Sequence, residues 1–510
     1  MTTVALQSTA GKWIMASTIM ASAMAFIDAT ALNVVLPSLQ QSLHASGPDL
    51  FWVLNAYLLM LAALILIGGT MGDHFGRKKI FMAGVFIFIL GSAACGISSS
   101  APMLIILRVI QGIGGAFMIP GSLSIISSSI QEKERGKAIG TWSAATTLVT
   151  MGGPALGGAL ADAGLWRYIF FINVPIGILV LLILAFKVRE TKDKTSAKKL
   201  DFEGAVTIAL GLALLTFGFL RVPAVGFNHI QGYGSITTGL ILLLIFVFIE
   251  YKSPHPMMPL RLFQNRIFSG TNLLTFFLYA GLGAGMLFLS LNMVQIQGYT
   301  QLQSGLTFLP FTIFMVVNAR FAGSLADKYG PRLFLIFGPF LAGAGLLMLS
   351  FVGQTRGASD YWISFFPGIL VFGFGMSLTV APLTAAVMGA VSEQFSGTAS
   401  GINNAISRIS GVFANAILGA LAVLFFTAAL QKELISLPLH PQQKQVILSQ
   451  AINLGDAKVP ADLPPSVKEQ IKTVYHNSFI NAYGRIMKVA AGLAFLSALM
   501  AFLSIKNKPD

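Results

Sequence analysis

The chain has 510 residues, 55% of them hydrophobic and only 10% charged, against roughly 25% charged in an ordinary soluble domain, so it cannot cover itself with polar surface in water. A formal net charge of +14 invites a nucleic-acid reading, but the basic residues sit in short alternate loops between apolar runs, a pattern of membrane topology that excludes that class. Cys95 is the single cysteine, which rules out a disulfide framework or a multi-cysteine metal site.

The apolar runs predict fourteen membrane-spanning helices, beginning near Trp13, Phe51, Ile80, Met103, Ala138, Tyr168, Phe202, Ser235, Ile267, Gly305, Leu333, Ser364, Gly397 and Phe479. The first run is too long for a secretory signal and lacks its small-residue cleavage pattern, so it counts as a span. It carries Asp28 in the string FIDATALNVVLP, the one acidic residue expected well inside a span. Keeping a carboxylate in a bilayer interior costs ~2.5–3.5 kcal/mol, and such groups are functional by default. Asp28 is therefore expected to exchange protons, a reading that outweighs permanent pairing with a cation. Thr30 and Asn33 follow it, placed either to hydrogen-bond within the span or to line a pore.

After the second span comes Gly69-x-x-x-Asp73-x-x-Gly76-Arg77-Lys78, and a copy, Gly323-x-x-x-Asp327-x-x-Gly330-Pro331-Arg332, follows the tenth. Glycines, one carboxylate and two or three cations at a bundle edge can tie neighbouring helices by charge-assisted hydrogen bonds. Asp73 and Arg77 are the sharpest candidates for such a latch; the plainer reading is a basic loop without a gating role. The offset of about 254 residues exceeds what six spans need, which leaves the spans near Phe202 and Ser235 as two extra helices between two halves.

In the fourth span Arg108 lies in LIILRVIQGIGGAF. An arginine stays protonated and cannot carry the proton itself, but it is the natural partner of Asp28; snorkelling to an interface is the bland alternative. Arg320 and Arg408, in the tenth and thirteenth spans, face the same two readings. Lys133, Arg135 and Lys137 follow the fourth span, and Lys187, Arg189, Lys192, Lys194, Lys198 and Lys199 the sixth, whereas the loops around 41–50 and 98–102 carry no Lys or Arg. This bias puts both termini in the cytoplasm. The fifth span contains Gly153, Pro154, Gly157 and Gly158, an element suited to bend or to seal one end of a bundle.

The organisation that follows is an N-terminal six-helix bundle over residues 1–190, a cytoplasmic linker with the two extra helices over 191–265, and a C-terminal six-helix bundle over 266–510. The last of these holds an extracytoplasmic loop at 431–477, the one long hydrophilic stretch. Neither the six histidines, His44, His74, His229, His255, His440 and His476, nor any other group has metal-ligand spacing, and no phosphate-cradling G-x-x-x-x-G-K-[ST] pattern occurs. An enzyme, a metal site and direct use of ATP are thus not expected.

These motifs together resemble the major facilitator superfamily, and within it the fourteen-spanner drug:proton antiporter branch, from about Trp13 to Ile505. The loop signature is matched by Gly69, Asp73, Gly76, Arg77 and Lys78, and the first-span signature by Asp28, Thr30, Asn33 and Pro37. The fourth-span signature is matched by Arg108, Gln111, Gly112 and Gly114, and the antiporter signature by Gly140, Gly153, Pro154, Gly157 and Gly158, with Val149 where that signature has glycine. Trp52 with Tyr57, and the string Trp166 to Pro175, also resemble this branch.

The resemblance implies an all-α integral membrane protein of the major facilitator fold that exports hydrophobic, amphiphilic or cationic small molecules, driven by inward proton flow. Asp28 would bind the proton, Arg108 would act as its electrostatic switch, and Asp73, Arg77, Asp327 and Arg332 would belong to the gating loops. Thr30, Asn33, Gln111, Asn55 and Tyr57 are the candidates for the substrate cavity. No cofactor is expected, only a proton gradient as energy source. The expected partners are a small-molecule substrate, protons and the lipid bilayer of the inner or cytoplasmic membrane, with a monomer as the functional unit. A proton-linked transporter of one metabolite, such as a lipid or a siderophore, is the alternative, and a non-transporting receptor or scaffold a distant third.

Overall fold

In a computed structural model the chain is described for residues 3–191, 201–392, 395–460 and 463–505, with only the backbone described at Asp73, Thr147, Met151, Ala319, Arg320, Asp327, Ser396 and Gly397. The linker cations Lys192, Lys194, Lys198 and Lys199 therefore lie outside the described residues, as do the side chains of Asp73, Asp327 and Arg320. The long helices are α1 (Thr9–Leu43), α2 (Gly47–Phe75), α3 (Arg77–Gly96), α4 (Ala101–Ser129), α5 (Glu132–Asp162), α6 (Tyr168–Lys187) and α7 (Phe202–Val225). They continue as α8 (Ser235–Lys252), α9 (Arg266–Gln295), α10 (Leu309–Tyr329), α11 (Arg332–Leu349), α12 (Phe366–Gly389), α13 (Ser396–Leu434) and α14 (Pro465–Ser504).

Twelve helices among the described residues are long and apolar enough to cross a membrane. The two long helices outside that set are α5, which carries Lys133, Lys137, Thr141, Ser143 and Thr146, and α10, which carries Asn318 and Lys328. Their polar composition dilutes the apolar signal. Helix α14 begins at Pro465, well before the apolar run at Phe479. Lys468, Glu469 and Lys472 on its first turns are polar enough to mask a helix in a hydropathy reading.

Helix ends follow the local chemistry. Ser46 and Asp49 cap each other reciprocally before α2, Asp201 accepts from Gly204 N at 2.8 Å before α7, and Asn265 accepts from Ile267 N and Phe268 N before α9. Between α2 and α3 the turn passes through Gly76 at φ 116°, a backbone region that favours glycine.

Helices α1 to α6 pack among themselves, chiefly α2 on α4, α3 on α4 and α1 on α5; α9 to α14 do likewise through α9 on α14, α11 on α12 and α10 on α12. Helices α7 and α8 form a hairpin, with α7 lying against α2 of the first group and α13 of the second. The two groups meet along α2 and α13, between α1 and α9, and where α5 touches the short helix Gln301–Thr307.

Small residues allow the close approaches, because in lipid the hydrophobic drive between helices is absent and tight packing takes its place. A Cβ at Gly112 of α4 would fall 2.7 Å from the Tyr57 carbonyl oxygen of α2. Gly112→Val is therefore expected to cost about 1–3 kcal/mol of stability by overpacking, seen as a lower melting temperature of the purified protein in detergent, whereas the same change at Gly136, where nothing lies within 4 Å, leaves it unchanged.

Candidate functional site

Helix α1 has two faces. Phe26, Ala29, Thr30 and Asn33 form a half-buried stripe, while Asp28 is buried against α4 and Ala31 is buried against Gly157 of α5. Asp28 is 1% exposed, and so is Arg108. One Asp28 oxygen accepts from Arg108 Nη1 at 2.5 Å and the other from Gln111 Nε2 at 2.9 Å. Arg108 and Gln111 stand three residues apart on one face of α4, and Arg108 Nη1 also donates to Gln111 Oε1 at 2.8 Å.

The remaining guanidinium surface is occupied by α2. Arg108 Nε donates to the Val53 carbonyl at 3.2 Å, and the Tyr57 ring lies 4.4 Å from the guanidinium carbon, a cation–π contact. Removing a buried charge partner is far more costly than the pair is worth, because it strands the other charge. The cluster thus joins α1, α2 and α4 through groups that satisfy one another.

Two residues further along α2, Asn55 turns to the other group of helices. Its side chain donates to the Val412 carbonyl at 3.4 Å and accepts from Asn415 Nδ2 at 3.1 Å, both on α13. Of the cavity candidates, then, Gln111, Asn55 and Tyr57 are buried in contacts between helices. Thr30 is half-buried and donates to the Thr150 carbonyl of α5 at 3.1 Å, and Asn33 is half-buried on the same stripe.

The glycine-rich stretch of α5 lies at the end of the bundle away from the N-terminus. A Cβ at Gly153 would strike Thr30 Oγ1, one at Gly157 would fall 2.8 Å from the Ala31 carbonyl oxygen, and one at Gly158 would strike the Gln301 carbonyl oxygen. Pro154 lies against Gly305 of the short helix Gln301–Thr307. Asp162 accepts from Gln301 N at 2.8 Å and Leu302 N at 2.9 Å, capping that helix from the opposite group, and Gln301 Nε2 donates to Ser38 of α1. Gln295 of α9 donates to Gln40 of α1 at 2.9 Å, and Gln40 donates to the Asn453 carbonyl at 3.1 Å. Burial pushes the carboxyl of nearby Asp456 above the ordinary range, against the pull of Lys458 and Gln41. This far end is closed, while a Cβ at Gly136 or Gly140 on the near half of α5 would meet nothing within 4 Å.

At the α2–α3 turn the backbone of Arg77 donates to the Thr191 carbonyl at 2.9 Å, and Lys78 Nζ donates to the Val188 carbonyl at 2.8 Å. Glu190, which sequence reading did not single out, accepts from Lys78 N at 2.9 Å and Lys79 N at 3.1 Å. It caps the positive end of α3 with a carboxylate. A Cβ at Gly76 would fall 2.9 Å from its carboxyl carbon, so the turn glycine makes room for the cap; Gly69 and Pro120 sit nearby in ordinary contact. In the second copy Arg332 lies over the Phe502 ring at 5.6 Å. Glu250 is a further buried acid, 2% exposed and accepting from Met258 N at 2.9 Å. Its place in the last turns of α8 hid it at the end of an apolar run.

The family model for the Major Facilitator Superfamily matches residues 18–415. The chain is 32% identical over 429 residues to the Multidrug resistance protein Stp of Mycobacterium tuberculosis, covering 83% of this chain and 78% of that protein. It is 28% identical over 492 residues to the Tetracenomycin C resistance and export protein of Streptomyces glaucescens, covering 96% and 90% respectively. Its fold is like that of a bacterial homolog of the human lysosomal transporter Spinster in an inward-facing, unoccupied conformation, with TM-score 0.67 and 18% identity over 99% of this chain and 100% of that one.

The closed charge cluster yields a stability test. Arg108→Ala is expected to destabilise the protein by about 3–5 kcal/mol, because the Asp28 charge is left buried without its cation. Adding Asp28→Asn to Arg108→Ala should recover a large part of that loss in a thermal melt, and simple additivity of the two changes would count against a shared pair.

Proposed function

The chain belongs to the major facilitator superfamily, and from that premise we propose that this multi-pass membrane transporter exports hydrophobic or amphiphilic small molecules in exchange for protons. With α5 and α10 counted, the chain makes fourteen passes across a cytoplasmic membrane, both termini lying inside. The basic loops at Arg77 to Lys79 and Lys133 to Lys137 support that orientation. In it, the closed far end faces outward and the conformation is open to the cytoplasm.

The observation that carries the reading is Asp28, near the middle of a membrane helix, with both oxygens held by Arg108 and Gln111. In the inward-open form both Asp28 oxygens accept hydrogen bonds, from Arg108 and Gln111, and the carried proton has left to the cytoplasm. A proton taken up from outside neutralises Asp28 and frees Arg108. The change passes along α2, from Val53 and Tyr57 at Arg108 to Asn55 at α13, and biases how the two groups of helices meet. Because Asp28 faces away from the half-buried stripe of α1, proton and substrate occupy different places, and their exchange is carried by conformation.

The relatives' names as resistance and export proteins support outward flow of foreign or self-made compounds. Gly153, Pro154, Gly157 and Gly158 act in the outer seal, and the turn at Gly69 to Lys78 fastens the inner ends of α2, α3 and α6. Asp28→Asn keeps the shape but removes the titratable group. In proteoliposomes with a pH gradient it is expected to abolish uphill accumulation of a fluorescent substrate while downhill exchange persists, and uphill accumulation at the wild-type rate by a well-folded Asp28→Asn protein would remove Asp28 from the coupling.

A further inference from the structure

Arg408 is a charged group that the coupling cluster does not use. It lies on α13 with its guanidinium carbon 6.0 Å from the Phe26 ring centroid, and Phe26 stands near the middle of α1. That depth leaves no interface for the side chain to reach by snorkelling. Its Nε is buried without a hydrogen-bond partner, and among the described residues no carboxylate lies within ion-pair distance of it. Asp28, the acid at this depth, is already taken by Arg108 and Gln111.

Around Arg408 the helices α1 and α13 do not pack backbone against backbone. It is half-buried on a face of α13 shared with Ser400, Asn404 and Ser407, of which Asn404 is exposed. Opposite lies the half-buried stripe of α1 with Phe26 and Asn33. The aromatic ring against the guanidinium is that of Phe26. Tyr57 of one group and Tyr279 of the other are both within electrostatic reach of the guanidinium. Since Asp28 and Arg108 cancel, Arg408 is left, among the described residues, as a positive charge without a fixed counter-ion, and an intramembrane cation of that kind calls for one that comes and goes.

We propose that Arg408 binds an anion between α1 and α13, and that the exported compounds include aromatic amphiphiles carrying one acidic group, a carboxylate, sulfonate or phenolate oxygen. This deepens the export reading and rests on it. The planar guanidinium suits such an oxyanion in two-point contact, while Phe26 beside it offers a face to the ring system. A cationic drug meets like charge at the same place. The bound anion does not expel the Asp28 proton electrostatically, in keeping with exchange carried by conformation.

The test uses the full-length protein in proteoliposomes under a pH gradient, with two probes that share a ring system: anilinonaphthalene sulfonate and phenylnaphthylamine, which lacks the sulfonate. The wild type is expected to transport the sulfonate, and Arg408→Gln to lower the ratio of sulfonate to amine transport by about tenfold to a hundredfold, the worth of hydrogen bonds to a charged group. Arg408→Lys, which keeps the charge without the fork, should retain an intermediate ratio. A purely structural role would depress both probes together and leave the ratio unmoved, and that result overturns the proposal. Transport of the amine but not the sulfonate by the wild type also overturns it while leaving export intact, and movement of neither probe brings down the export reading and this one together.

Discussion

A carboxylate held in the interior of a membrane protein must be neutralised or paired, and the pairing of Asp28 with Arg108 is the constraint on which the rest of this structure depends. Burying either charge alone would cost several kcal/mol. The chain meets the demand with three polar groups from two helices, and it directs the spare donor of the arginine to a backbone carbonyl of a third. A closed set of this kind has few arrangements, so protonating one member is not a local event. The carbonyl belongs to Val53, and two residues on Asn55 grips α13; charge state and the α2–α13 joint therefore share one helix.

The far end is built on the opposite principle. There the contacts are small residues, neutral amides and one exposed carboxylate: Gly153, Gly157 and Gly158 let α5 lie directly on α1 and the Gln301–Thr307 helix, glutamines 40, 295 and 301 bridge the two groups of helices, and Asp162 caps the Gln301–Thr307 helix. Neutral hydrogen bonds of this sort are each worth only about 0.5–1.5 kcal/mol net. Because Asp162 is exposed, parting these contacts would strand no buried charge, in contrast to breaking a buried ion pair. The segment over it carries Leu454 at φ 54°, a strained backbone for a leucine, held by burial against its neighbours.

Much of the architecture was legible in the sequence because hydropathy reports on solvent, and solvent decides where membrane helices run. Each predicted apolar run overlaps a long helix, those begun at Gly305 and Ser364 starting in the short helices just before α10 and α12, and Asp28 with Arg108 stood out because charges in apolar runs are rare. Facing was not legible. Asn55, Gln111 and Tyr57 are polar residues in spans, which reads as cavity lining, yet the structure places them between helices. Only the neighbours on α4 and α13 distinguish the two. Glu190 and Glu250 were missed for a different reason: each lies at the end of an apolar run, where a carboxylate looks like ordinary loop chemistry until the helix end or backbone amide it serves is known. Arg408 was visible as a charge, but that no described carboxylate pairs with it and that its Nε is buried without a hydrogen bond are facts of three dimensions.

The central claim is that the charge state of Asp28 sets which end of the transporter is open, and it is tested most directly by a distance across the near mouth. Spin labels at Gly136 of α5 and Tyr329 of α10, both open to solvent, report that distance by pulsed electron resonance in lipid nanodiscs as pH is varied, and buried Cys95 can stay in place. The account predicts a long distance at high pH that shortens as pH falls, and in Asp28→Asn a short distance at every pH, because proton binding and closure of the inner mouth are linked. A pH-dependent distance that survives unchanged in Asp28→Asn would contradict it, as would a wild-type distance that ignores pH.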